Sequence, residues 1–154
     1  MKFSITDEMI VRTGDCGAMD AFDARQISPL TLAWIGDAVY EVVVRNMLVR
    51  DTGIPGEAVN RLNRKARSLV NAGTQSAIIG VYEDRDILTE DEQKVYHRGR
   101  NAKSNTHAKN ASIQDYRRAT GFEAVMGYLW LTGQTDRIIE LVRAGFEGLK
   151  ENGI

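Results

Sequence analysis

The 154-residue sequence predicts an all-α protein, and three observations carry that prediction. Apolar residues recur at helical three-and-four spacing in one segment after another. No stretch of useful length alternates apolar with polar residues as a half-buried strand does. Helix start and stop signals bracket the apolar segments. A chain of this length can bury a proper core as one domain, and no internal repeat divides it. The domain is placed over 23–154. Residues 1–22 show no sustained period and read as a leader, poorly ordered or forming one short helical turn.

Taken in order, the first long helix is predicted over Ser28–Asp51. Ser28 can accept from the orphan amides of the first turn, and Pro29 at the first helical position has no amide to leave unpaired. Leu30, Leu32, Trp34, Ile35, Val39, Tyr40, Val42, Val43, Val44, Met47 and Leu48 leave only a narrow polar stripe, the pattern of a helix buried in the middle of a domain. Asp51-Thr52-Gly53 before Pro55 stops it. From Pro55 to Gly73, Val59, Leu62, Ala66, Leu69 and Val70 share one side of an amphipathic helix, with Arg61, Arg64, Lys65 and Arg67 around the rest. Those bases read as a solvated face unless that face borders the functional cleft. A short helix over Thr74–Tyr82 follows.

Thr89 and Glu92 form a capping-box pattern that opens a helix to about Arg100. The run NAKSNTHAKNAS, rich in Asn, Ser and Thr, predicts an exposed loop. Ser112 with Asp115 then caps a second long helix, apolar through Phe122, Val125, Met126, Tyr128, Leu129 and Trp130, to a stop at Gly133. A last helix runs from Thr135 to about Lys150. The aromatic residues Trp34, Tyr40, Tyr128 and Trp130 read as core or dimer contacts rather than stacking platforms.

The net charge of −1 says little as a total, but its distribution is uneven. Between Arg98 and Arg118 the bases Arg98, Arg100, Lys103, Lys109, Arg117 and Arg118 face a single acid, Asp115, so a polyanion-binding face is available within a slightly acidic chain. The lone Cys16 excludes an internal disulfide and a cysteine zinc site, and two histidines, His97 and His107, are too few for a histidine metal cluster. No segment approaches a membrane span or the apolar core of a secretion signal, so the protein is expected in the cytoplasm, with no membrane partner.

Asp37, Glu41 and Arg45 lie one turn apart along the polar stripe of the first long helix. Two carboxylates at that spacing repel, more so where water is excluded. Either a divalent cation neutralises them, or Arg45 pairs with Glu41 and Asp37 finds a nearby donor. Glu123 is the only acid beyond the first turn of the second long helix, and its natural mates are a metal or an arginine. Two apolar helices each bearing an isolated acid, with a basic loop before the second, suit metal-dependent phosphodiester cleavage. No HExxH, Walker loop or GxSxG elbow offers another chemistry.

The segment LAWIGDAVYE, Leu32 to Glu41, resembles the signature of the ribonuclease III catalytic domain. In the same order, RSLVNAGTQSA, Arg67 to Ala77, is similar to the family's Leu-Val-x-Asn stretch, and ATGFEAVMGYLWL, Ala119 to Leu131, to its metal-ligand glutamate helix. The resemblance spans roughly Asp23 to Lys150. The sequence departs from the larger members at Ala33 and Thr120, where they carry carboxylates, and it has no double-stranded-RNA-binding domain after the catalytic one. With the run HRGRNAKS, His97 to Ser104, these departures resemble the compact Mini-III branch, which acts on large-subunit (23S) ribosomal RNA precursors.

The resemblance implies an all-α ribonuclease III-like endonuclease domain in which Asp37 and Glu123 are the catalytic and metal-binding acids. Glu41 is a further candidate metal ligand. Mg²⁺ is the implied cofactor, with Mn²⁺ as substitute. A homodimer is implied that hydrolyses both strands of an RNA duplex and leaves a short 3′ overhang. Duplex RNA is read mostly by backbone and form, and Arg98, Arg100, Asn101, Lys103 and Lys109 are the candidate RNA contacts. The competing expectation is a non-catalytic helical module that binds structured RNA or assists ribosome assembly, with Ala33 and Thr120 marking a degenerate site. An interaction-only bundle leaves Asp37 and Glu123 without a purpose.

Overall fold

The computed structural model describes residues 18–53, 56–103 and 112–153. Among them are seven helices, α1 (Ala21–Gln26), α2 (Pro29–Asp51), α3 (Val59–Val70), α4 (Ala72–Arg85), α5 (Glu90–Asn101), α6 (Ile113–Leu131) and α7 (Thr135–Glu151), and no strand. The all-α expectation holds. Cys16, His107 and Lys109 lie outside the described residues.

Local chemistry sets most of the ends. The Thr89 hydroxyl accepts from the Glu92 amide and the Glu92 carboxylate from the Thr89 amide, so the box that opens α5 is closed on both sides. Ser112 caps α6 through the Asp115 amide. Asn71 serves two helices at once. Its side-chain amide donates to the Arg67 and Ser68 carbonyls at the end of α3, and its side-chain oxygen accepts from Thr74 to start α4. That double cap begins α4 two residues before the predicted Thr74. Ser28 differs from expectation: Pro29 opens α2, but the Ser28 side chain makes no capping hydrogen bond, and only its carbonyl is engaged, by the Leu32 amide. Asp20 caps α1 through the Phe22 amide, and the Met19 amide donates to the Leu131 carbonyl, so chain assigned to the leader is tied to the end of α6.

The helix at the centre is α6, not α2. It packs against α2, α4, α5 and α7, and from Ala119 to Leu129 every residue is buried except Glu123. The expectation that α2 is buried all round fails. Its inward face, Leu32, Val39, Tyr40 and Val44, enters the core, while Leu30, Trp34, Val42 and Val49 remain in solvent, Trp34 at 78% of its full exposure. An apolar sequence on every side specifies that a helix is covered, not that one chain does the covering. α3 lies on the outside of α2, with Leu62, Ala66, Leu69 and Val70 only partly buried.

Three rings knit the core around Phe122. Tyr40 meets it edge-on at 4.9 Å between centroids, and Tyr82 lies tilted at 6.3 Å. The Tyr40 hydroxyl donates to the Leu69 carbonyl and the Tyr82 hydroxyl to the Leu141 carbonyl, so the same side chains bind α2 to α3 and α4 to α7. Among the described residues no helix is long and apolar enough to cross a membrane.

Candidate functional site

Where α2 crosses α6, both helices use glycine. A β-carbon on Gly36 would fall 1.7 Å from the Glu123 carbonyl oxygen, and one on Gly127 would fall 2.0 Å from the Leu32 carbonyl oxygen. The backbones therefore touch, an approach closed to any residue with a side chain at those two positions. Asp37 follows Gly36 directly, and Gly36 rests on the backbone of Glu123, so this contact is what brings the two acids together from segments 86 positions apart.

The pair is electrostatically unusual. Burial, then hydrogen bonding to Asp37 and the charges of Asp37 and Glu41, push the Glu123 carboxyl up to about 9. At neutral pH Glu123 holds a proton that it can donate to Asp37, and no arginine or lysine is in hydrogen-bonding or ion-pair contact with either among the described residues. Glu41 is one turn further along α2 and accepts from Arg45 at 3.0 Å. Both readings of the stripe thus find a place: Arg45 takes Glu41, while Asp37 and Glu123 share a site short of positive charge. Two hard oxygen donors short of one charge fit a hard divalent cation. Among the described residues no three His, Cys, Asp or Glu side chains converge to hold a metal by themselves, so other oxygens must complete any shell. Ala33 and Thr120, which carry no carboxylate, are both buried beside this seam.

The basic candidates do not form one cluster. The Arg98 guanidinium donates to the Arg25 carbonyl while the residue stays exposed. Arg100 lies over the Tyr96 ring, 5.7 Å from its centroid, and donates to the Asn101 side chain. Arg100 and Asn101 line a groove at the α5–α6 junction together with Ile113, Gln114, Arg117 and Arg118. Lys103 is exposed beyond the end of α5. Arg118 is committed internally, donating to the Ser76 hydroxyl and carbonyl and pairing with Glu83 at 2.9 Å, so it clamps α4 to α6. Gln114 and Arg117 were not singled out from the sequence. Their signal was only membership of a basic segment, and they share the groove with Arg118, whose guanidinium is already engaged by Ser76 and Glu83.

A second groove runs between α2 and α3, lined by Glu41, Arg45, Asn63, Ala66, Arg67 and Val70. Of the α3 bases, Arg61 and Lys65 both pair with Glu57, a solvated arrangement. Arg67 instead borders the groove that holds Glu41.

Residues 30–134 match the family model described as the ribonuclease III domain. A protein of Clostridium tetani named Mini-ribonuclease 3 is 49% identical over 124 residues, covering 79% of this chain and 78% of its own. A Mini-ribonuclease 3 of Enterococcus faecalis is 45% identical, covering 78% of this chain and 89% of its own. A crystal structure of a Fusobacterium nucleatum protein superposes with a TM-score of 0.69 at 28% identity, over 82% of this chain and 97% of that one. With its Gly-Asp-Ala-Val and Phe-Glu-Ala segments meeting at one glycine seam, the chain belongs to the ribonuclease III family of endoribonucleases, among relatives named Mini-ribonuclease 3.

Proposed function

We propose that this endoribonuclease cleaves double-stranded RNA with Mg²⁺ held by Asp37 and Glu123, acts as a homodimer, and matures a large-subunit ribosomal RNA precursor in the cytoplasm. The single observation that carries the site assignment is the Asp37–Glu123 pair, two acids held together with a proton where a cation belongs. Enzymes of the ribonuclease III family use divalent metals. A hard cation bound there polarises a phosphate and lowers the pKa of a water. The protein's own part is to fix the two carboxylates and exclude a competing cation, since Arg45 is occupied by Glu41. Glu41 then tunes the pair through its charge and is a candidate ligand at longer reach.

For the duplex, Arg100 and Asn101 in the α5–α6 groove and the exposed Arg98 and Lys103 are the proposed backbone contacts, together with Lys109, which lies outside the described residues. Recognition of A-form shape asks for such spread phosphate contacts rather than base-edge readers. The dimer reading is supported by the outward stripe of α2, Leu30, Trp34, Val42 and Val49, a larger run of exposed apolar side chains than a solitary chain ordinarily leaves on one helix.

The test is incubation of purified protein with duplex and single-stranded RNA, with and without Mg²⁺. Duplex cleavage that needs the metal is expected. Asp37→Asn should lower it by more than about 100-fold, beyond what groups that merely support a ligand account for, while duplex binding survives. Binding without cleavage at any metal would assign the chain to the non-catalytic RNA-binding module instead.

A further inference from the structure

Resting on the reading of the chain as an RNA nuclease, we infer that the α2–α3 groove is a second backbone-holding site, in which Arg67 grips a phosphate of the RNA strand and Asn63 meets the adjoining ribose. No family signature marks Asn63, and Arg67 stands only at the edge of one, so the groove itself carries the argument.

Its lining is mostly polar: Glu41, Arg45, Asn63 and Arg67 over a floor of Ala66 and Val70. Two guanidinium groups against one carboxylate leave the groove with one net positive charge. The distribution of that charge is informative. Arg45 is spent on Glu41, which cancels the one acid that would repel a phosphate. Arg67 has no acid partner, and neither its guanidinium nor the Asn63 amide is engaged by another side chain among the described residues. On the same helix Arg61 and Lys65 are both drawn away to Glu57. Of the two α3 guanidinium groups left without a partner among the described residues, Arg64 and Arg67, only Arg67 lines the groove.

Helix order places this groove in relation to the acids. α3 packs on α2, α2 on α6, and α6 on α5. The Asp37–Glu123 seam joins α2 to α6, and each of these helices also walls one groove, α2 with α3 and α6 with α5, where Arg100, Asn101 and Arg117 lie. An arginine fork binds phosphate oxygens well, and a primary amide both donates and accepts, as recognition of a 2′-hydroxyl requires. The groove thus supplies both phosphate affinity and a preference for ribose.

The experiment measures binding of a short RNA duplex, and of a DNA duplex of the same sequence, to full-length Asp37→Asn protein across a salt series. Arg67→Ala, Arg67→Lys, Asn63→Ala and Arg61→Ala are added singly. Arg67→Ala should weaken RNA binding several-fold and lower the slope of log affinity against log salt by about one. Arg67→Lys should keep the slope. Asn63→Ala should lower the RNA-over-DNA preference and leave the slope unchanged. Arg61→Ala should match the parent. All three side chains are exposed, and equal melting temperatures confirm intact folding. An Arg67→Ala slope equal to the parent's overturns the groove assignment while the nuclease reading stands. A parent that binds no RNA duplex, together with a wild type that cuts none, overturns the nuclease reading itself.

Discussion

Glu92 and Glu123 are both acids set into the body of the fold, and their surroundings are opposite. Glu92, at the start of α5, is 2% exposed. Its carboxylate accepts two hydrogen bonds from Arg137, at 2.9 and 2.8 Å, and one from the Thr89 amide. Burial pushes its pKa up, but Arg137 and Thr89 more than offset burial and hold it below the ordinary glutamate range. Glu123, in the middle of α6, faces a second acid instead of a cation and rises to about 9. One carboxylate is satisfied within the chain. The other is left wanting a charge from outside, and that difference is what the proposed role of Glu123 in the reaction rests on.

The comparison breaks most visibly at Arg137. Arg137→Ala leaves Glu92 buried without its partner and should cost about 3–5 kcal/mol of stability in denaturant unfolding, whereas among the described residues Glu123 has no such partner to remove. Next in size, Gly36→Ala forces α2 off α6 and should cost about 3 kcal/mol. It should also separate Asp37 from Glu123, so nuclease activity falls further than the fraction of folded protein does. A change of similar size at the Glu92 end would leave the activity of each folded molecule unchanged.

The pH dependence of stability has opposite signs at the two sites. The Glu123 pKa is raised in the fold, so without metal its contribution is present below the ordinary glutamate value and is lost as pH climbs toward about 9. The Glu92 pKa is depressed, so its contribution is present at neutral pH and is lost as pH falls through the depressed value. Melting curves of metal-free protein check both. Glu123→Gln should abolish the decline of Tm between about pH 5 and about pH 9 and melt no lower than wild type at neutral pH. Glu92→Gln should melt lower at neutral pH and lose the acid-side decline.

What the sequence made legible follows the range of the interactions. The Thr89–Glu92 box, the Ser112 cap and the Pro29 start depend on neighbours within three or four positions, and all three mark observed helix starts. The Arg137–Glu92 and Arg118–Ser76 contacts join residues 45 and 42 positions apart, and no local pattern announces them. Ser28 shows the limit of even a local rule, since a residue type suited to capping is not obliged to cap. Which side of α2 faces outward was hidden because apolar residues surround it. Periodicity alone gave two isolated acids on two helices. Their meeting was readable only through the family resemblance, because the device that joins them is the absence of side chains at Gly36 and Gly127.

That device has a consequence for how the spacing of Asp37 and Glu123 is maintained. Main chain rests on main chain at the α2–α6 crossing, so the separation of the two carboxylate-bearing backbones is gauged by helix radius alone. Rotamer changes and drift in the surrounding packing leave such a gauge untouched, as a hard stop fixes a hinge whatever is painted on the door. Tolerance of substitution should therefore be broad around the acids and nil at the two positions that have nothing to lose but a hydrogen.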